Sequence, residues 1–302
     1  MPIDHYQQKN LPAVKPDVKN DPEKYKPSDA LINALNVALE LNMPLLLTGE
    51  PGTGKTQFAH HIAHRFGLGK VLVFNAKTTS IASDLFYRYQ AVKHFQYIQN
   101  IQHNSDSSKS VEDFIEFEAL GKAIRIAMTD KKRSVVLIDE IDKAPRDFPN
   151  DILNELENLE FSVPEMDQKF KAPDDLRPII ILTSNSEKNL PAPFLRRCAY
   201  VNIDFPKGDG LLKIVQNKLP DYPDMQTWIT EFEKIRERAA ALNTKKPATA
   251  EFISWLIVLK ELGFQAADLN SSDKNAQLLQ SYSVLAKSEE LLKDLAKKLS
   301  EK

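Results

Sequence analysis

Apolar residues fall into two patterns along this chain. Uninterrupted runs occur at 43–49 (MPLLLTG), 70–76 (KVLVFNA), 133–140 (RSVVLIDE), 177–185 (RPIIILTSN) and 200–205 (YVNIDF). Each run is the length of a strand and carries no alternation, which predicts five strands covered on both faces. Between them the apolar positions take helical spacing. Leu31, Ala34, Leu35, Ala38 and Leu41 form one stripe after Ser28, a capping residue by type. Helices are also expected over 54–66, 119–130 and 148–161, with a short one at LPAPFL before the fifth strand. Strands alternating with helices predict an α/β fold on a five-stranded parallel sheet.

The remaining segments break this rhythm. Residues 1–27 hold Pro2, Pro12, Pro16, Pro22 and Pro27, so an extended, non-helical segment is expected. Residues 82–118 are polar and aromatic, with Phe86, Tyr87, Tyr89, Phe95 and Tyr97, and NSDSSKS (104–110) reads as an exposed loop. After Pro206 only helical patterns remain, interrupted at Pro220, Pro223, Pro247 and Gly263. Leu278, Tyr282, Leu285, Glu289, Leu292, Ala296 and Leu299 lie on one face of a continuous helix, packing on its own domain rather than in a coiled coil. The expected division is 1–27, an α/β core over 28–205 with an insertion at about 82–118, and a smaller helical domain over 206–302.

Composition narrows the function classes. The 302 residues carry 40 Lys and Arg against 42 Asp and Glu, a balance that argues against coating nucleic acid or an anionic membrane. Cys198 is the only cysteine, which leaves no internal disulfide and no multi-thiolate zinc site. No apolar stretch suggests a signal peptide or a span, so the cytoplasm is the simplest expected compartment. His60, His61 and His64 share one helix, but position 61 is not the glutamate that a zinc-protease motif requires, so they read as structural.

Glycine is scarce, yet three of the nine fall at 49, 52 and 54. Gly49-Glu50-Pro51-Gly52-Thr53-Gly54-Lys55-Thr56 fits G-x-x-x-x-G-K-[ST] between a strand and a helix. Such glycines let backbone N–H groups turn inward around phosphates. The helix N-terminus adds positive potential, Lys55 reaches the β/γ-phosphates and Thr56 offers a hydroxyl to Mg²⁺. Asp139 and Glu140 end the third strand, where open α/β sheets bind ligands. Asp139 is read as holding the metal through its water shell and Glu140 as polarising the attacking water. Asn185, after the fourth strand, reads either as turn chemistry or as an amide touching the γ-phosphate and the water. Arg196 and Arg197 read either as a solvated helix end or as a finger presented to a neighbouring subunit's nucleotide.

Taken in order, GEPGTGKT, VVLIDE, the LTSN strand and LPAPFLRR, followed by helices, resemble the AAA+ ATPases over roughly residues 25–262. DEIDKAPRDFPNDILNELE, DLFYRYQA and FLRRCAYVNIDFP are most similar to the MoxR branch. The resemblance implies ATP and Mg²⁺ as ligands, an ATP site at subunit borders, and a homo-oligomeric ring, commonly of six subunits. It implies Asn185 as the first sensor and favours Arg197 over Arg196 as the finger. It also implies a helical lid over 206–302, and a protein client or a partner with a von Willebrand A-type domain. Two positions depart from the family: Asp142-Lys143 stands where many relatives have Asn-Arg, and Ala250-Glu251 stands where a second sensor arginine is common. Lys246, Arg236 and Arg238 are the candidate substitutes. The expected function is ATP-driven remodelling of a protein partner. The alternatives are a GTP- or ATP-driven nucleic-acid-directed motor and a non-hydrolysing scaffold.

Overall fold

The computed structural model describes residues 21–101, 109–185 and 189–301. Residues 1–20 of the expected N-terminal segment and 104–108 of the expected exposed loop lie outside them. The chain divides by its contacts into two units, an α/β unit over 27–50 and 54–204, and a helical unit over 205–301 with 21–26 and 51–53.

The α/β unit is built on five parallel strands: β1 (Leu45–Thr48), β2 (Leu72–Asn75), β5 (Val135–Asp139), β8 (Ile179–Ser184) and β9 (Ala199–Asn202). Their order is β2-β5-β8-β1-β9, with Leu46 opposite Leu182 on one side and Tyr200 on the other. Leu45, Leu46, Leu47 and Val135–Ile138 are fully buried, as two-sided burial in central strands requires. Two of the five expected buried strands differ. β2 and β9 are the sheet edges, and their residues alternate between covered and open positions, with Val73 40% and Tyr200 58% exposed. An edge strand has one neighbour, so its apolar run reads the same in sequence without the same cover.

Helix α1 (Asp29–Glu40) starts where expected, with the Ser28 hydroxyl accepting from the Leu31 amide at 3.3 Å. It buries Leu31, Leu35 and Ala38, but Leu41 is left outside the helix and exposed. Helix α2 (Lys55–Arg65) follows the phosphate-loop motif. The single helix expected over 148–161 is absent. Two short pieces, Phe148–Asp151 and Leu153–Asn158, end at Leu159 in the left-handed region (φ 50°), and an antiparallel hairpin follows: β6 (Glu160–Val163) with β7 (Gln168–Lys171).

The described residues of the 82–118 segment carry regular structure that its composition does not suggest. β3 (Tyr87–Tyr89) pairs antiparallel with β4 (Ile115–Phe117), and a helix, α3 (Ala91–Ile101), lies between them in sequence. Its aromatics mostly pack: Phe86 stacks on Phe161 at 4.8 Å, Tyr97 lies 5.2 Å from Phe114, and the Tyr89 hydroxyl sits 2.6 Å from His94 Nδ1. Phe95 alone among the five is largely exposed, at 61%.

This segment is held against the core by helix α4 (Ala119–Thr129) through one glycine. A Cβ on Gly121 would meet the Phe86 carbonyl oxygen at 2.0 Å, and that same oxygen accepts from the Glu118 amide. Gly→Ala within a helix ordinarily stabilises by about 0.5–1 kcal/mol. Here the sign reverses. Gly121→Ala is expected to lower the denaturant midpoint of the α/β unit, because a backbone carbonyl cannot move aside as a flexible side chain can. A raised midpoint would refute the close contact.

The helical unit holds α8 (Gly208–Lys218), α9 (Met225–Ala241), α10 (Thr249–Glu261), α11 (Asn275–Tyr282) and α12 (Glu289–Ser300), after the short α5 to α7 (Phe148–Asp151, Leu153–Asn158, Ala192–Leu195) of the α/β unit. Its core centres on Trp228 against Trp255 (5.6 Å, edge-on) and Phe232 stacked on Phe252 (4.3 Å). The buried Trp255 indole donates to Ser281 Oγ at 2.8 Å, so its polar handle is satisfied. The continuous C-terminal helix expected over 278–299 is corrected to two. Ser288 caps α12, and the face it buries is Leu291, Leu295 and Leu299 rather than Glu289, Leu292 and Ala296. Among the described residues no helix is long and apolar enough to cross a membrane.

Candidate functional site

The site forms where β1, β5 and β8 end together. Gly49 (φ 143°) and Gly54 (φ 93°) turn the chain out of β1 and into α2 through conformations that a Cβ disfavours. Gly54 is the N-cap of α2, so the following amides open towards the loop. Glu50 belongs to the α/β unit with these residues, whereas Pro51, Gly52 (φ 77°) and Thr53 group with the helical unit. Lys55 is buried, and its Nζ donates to the carbonyls of Gly49 (2.8 Å) and Glu50 (3.0 Å). The lysine is thereby held inside the loop. Burial pushes its pKa below the ordinary lysine value, and Asp139, Asp142 and Glu140 oppose that shift.

Thr56 Oγ1 donates to Asp139 Oδ1 and Oδ2 at 3.2 and 3.3 Å, bringing a hydroxyl and a carboxylate from two elements to one point. These are hard oxygen donors. Mg²⁺ is commonly held by one or two carboxylates and by substrate phosphates while keeping several waters, so the pair fits it. Thr183, on β8, completes the arrangement. Its hydroxyl donates to Asp139 Oδ1 (2.5 Å) and accepts from the Glu140 amide (2.8 Å). That second bond fixes Glu140 in the left-handed region, φ 55°. Thr183 is not singled out by any motif reading, although it stands only two positions before Asn185.

Asn185 Nδ2 donates to Glu140 Oε1 at 3.1 Å, and its backbone amide donates to buried Asp142 at 3.3 Å. Lys143 Nζ lies 2.5 Å from Glu140 Oε2. Thus Lys55, Thr56, Asp139, Glu140 and Asn185 come together, with Thr183, Asp142 and Lys143 around them.

Arg196 and Arg197 are elsewhere. They precede β9, whose first amide, at Ala199, donates to Pro44 just before β1. They line a cleft of about 320 Å³ with residues 41–44, 153, 156–157, 177 and 198. The cleft is at the start of β1 and the phosphate loop at its end, with a four-residue strand of about 13 Å between them. Arg197 Nε is 4.0 Å from Glu157, and both side chains are more than half exposed. Cys198 is buried, which pushes its thiol up to about 12 and leaves it protonated at neutral pH.

In the helical unit the candidate sensor arginines are already engaged. Arg236 is buried, donates to the Pro247 carbonyl and stacks 3.3 Å over Phe205. Arg238 pairs with Asp294 at 2.7 Å. Glu251 accepts from the Ala248 amide at the start of α10 (2.6 Å), while Lys246 is exposed.

Residues 44–198, just over half of the chain, match the AAA domain (dynein-related subfamily). Over 195 residues, 62% of the chain, the sequence is 26% identical to Midasin of Giardia intestinalis. The chain spans about 4% of that relative's length.

Proposed function

Because the chain belongs to the AAA domain family, in its dynein-related subfamily, whose domains are nucleotide-dependent ATPase modules, we propose that it hydrolyses Mg·ATP at the Lys55–Thr56–Asp139–Glu140 cluster. The reading rests above all on one observation: hydroxyl, two carboxylates and amide from α2 and from the ends of β5 and β8 converge beside the loop, with Thr56 within 3.3 Å of Asp139 and Asn185 within 3.1 Å of Glu140.

Each residue then has a part. Lys55 and the amides at the start of α2 neutralise phosphate charge, and Gly49, Gly52 and Gly54 give the backbone room to surround it. Thr56 and Asp139 would hold Mg²⁺, which would supply positive charge to offset that of the phosphates. Glu140 orients and polarises water, and Asn185 reports on the γ-phosphate. Thr183 holds Asp139 and Glu140 in register. Arg197, or Arg196 beside it, serves the site of another copy, because its own phosphate loop lies a strand's length away. On this reading 28–205 is the ATPase core, 206–302 the lid, and the working form a ring, commonly of six.

In motif order the chain also resembles the MoxR branch. With it comes remodelling of a protein client, with a von Willebrand A-type partner the first to seek. The 82–118 insertion offers Val92, Phe95 and Ile98 on α3 as exposed apolar contacts.

Phosphate release from ATP and from GTP tests the reading, with nucleotide binding measured alongside. Wild type is expected to prefer ATP and to hydrolyse it. Lys55→Ala is expected to lose binding as well as turnover. A Lys55→Ala protein that binds Mg·ATP as tightly as wild type contradicts the assignment.

A further inference from the structure

Both carboxylate oxygens of Glu140 already accept within the chain, so water must share them with two donors. Asn185 Nδ2 donates to Oε1 and Lys143 Nζ lies 2.5 Å from Oε2. Lys143 reaches Glu140 because a single turn, Ile141–Lys143, starts directly after it, and three residues bring the ammonium back beside the carboxylate. The Glu140 amide bond to Thr183 fixes the backbone from which both side chains leave. A lysine is a compact cation with three donors on a flexible stem. Placed against a carboxylate, it occupies an acceptor oxygen and draws charge away from any water that oxygen would polarise.

We infer that Lys143 is a positioning residue that holds Glu140 off the attacking water until the pair opens. This rests on the role proposed above for Glu140. The pair is built to open. Its side chains are 44% and 38% exposed, and pairs so open to solvent are weak and sensitive to salt. Breaking the pair by substitution should therefore release about two- to fivefold in rate, not orders of magnitude.

The experiment measures phosphate release by the full chain at saturating Mg·ATP, with nucleotide affinity determined separately. Lys143→Met is expected to turn over about two to five times faster than wild type at unchanged affinity. Lys143→Gln should match it, and Lys143→Arg, which keeps a cation, should stay at or below the wild-type rate. Raising the salt should speed wild type relative to Lys143→Met, because screening opens a pair that the variant lacks. In a Glu140→Gln background, Lys143→Met should change nothing. A Lys143→Met rate at or below wild type, or the same gain in the Glu140→Gln background, overturns the inference. Full turnover by Glu140→Gln alone overturns the reading beneath it, and that result comes from a different protein.

Discussion

Glu140→Gln is expected to bind Mg·ATP with near-wild-type affinity and to lose most of its turnover. The amide keeps the size of the side chain, and its carbonyl oxygen can still accept from Asn185 Nδ2, which now donates to Glu140 Oε1 at 3.1 Å. What is lost is the negative charge that orients and polarises water. General-base contributions are typically 10²–10⁴-fold, roughly 3–5 kcal/mol of barrier. Lys55 and Thr56 are untouched, so binding and hydrolysis should separate in this protein. Single-turnover phosphate release with parallel nucleotide titration measures both. Turnover close to wild type would remove Glu140 from its role.

Arg197→Ala should be inactive alone and regain activity when mixed with Lys55→Ala. A finger acting from a neighbouring subunit contributes about 10³–10⁵ in related phosphoryl transfers, roughly 4–7 kcal/mol. The placement of Arg197 before β9, away from the end of β1 where its own phosphate loop lies, is what makes the complementation meaningful. In a mixture some borders pair an intact phosphate loop with an intact arginine, and only those hydrolyse. Arg196→Ala in the same assay separates the two candidates. No rescue on mixing, together with activity that does not depend on protein concentration, would count against the trans arrangement.

The elements legible in the sequence are those whose signal is local and continuous. The runs at 45–48, 135–139 and 179–184 are strands because nothing but burial explains three or more consecutive branched or leucine residues. The phosphate-loop segment is legible because glycine spacing and the strand–helix context coincide. The hairpin at 160–171 is not. NELENLEF keeps helical spacing through its end, and the stop is made by Leu159 and Asp167 in left-handed conformations (φ 50° and 51°) that no glycine announces. The break at Ser288 is hidden for a related reason: leucines on both sides keep a seven-residue rhythm across it. Edge and centre also look alike. LVFN in β2 is as apolar as LLLT in β1, and only the strand order tells which one has two neighbours. In the site, Asp139 and Glu140 stand out by type and position, whereas Thr183 acts through hydrogen bonds to a strand 44 residues away in sequence.

The strand order also sets a timetable for synthesis. β1 is made early, but its two partners in the sheet, β8 and β9, begin at Ile179 and Ala199. At 5–20 residues per second the ribosome needs roughly 7–26 s after Thr48 to reach the first of them. Throughout that interval Leu45, Leu46 and Leu47, fully covered in the finished sheet, have no strand to join. A nascent chain stalled before Ile179 should therefore present this leucine triplet to chaperones. Truncations ending there should aggregate, even with the whole phosphate-loop segment in place.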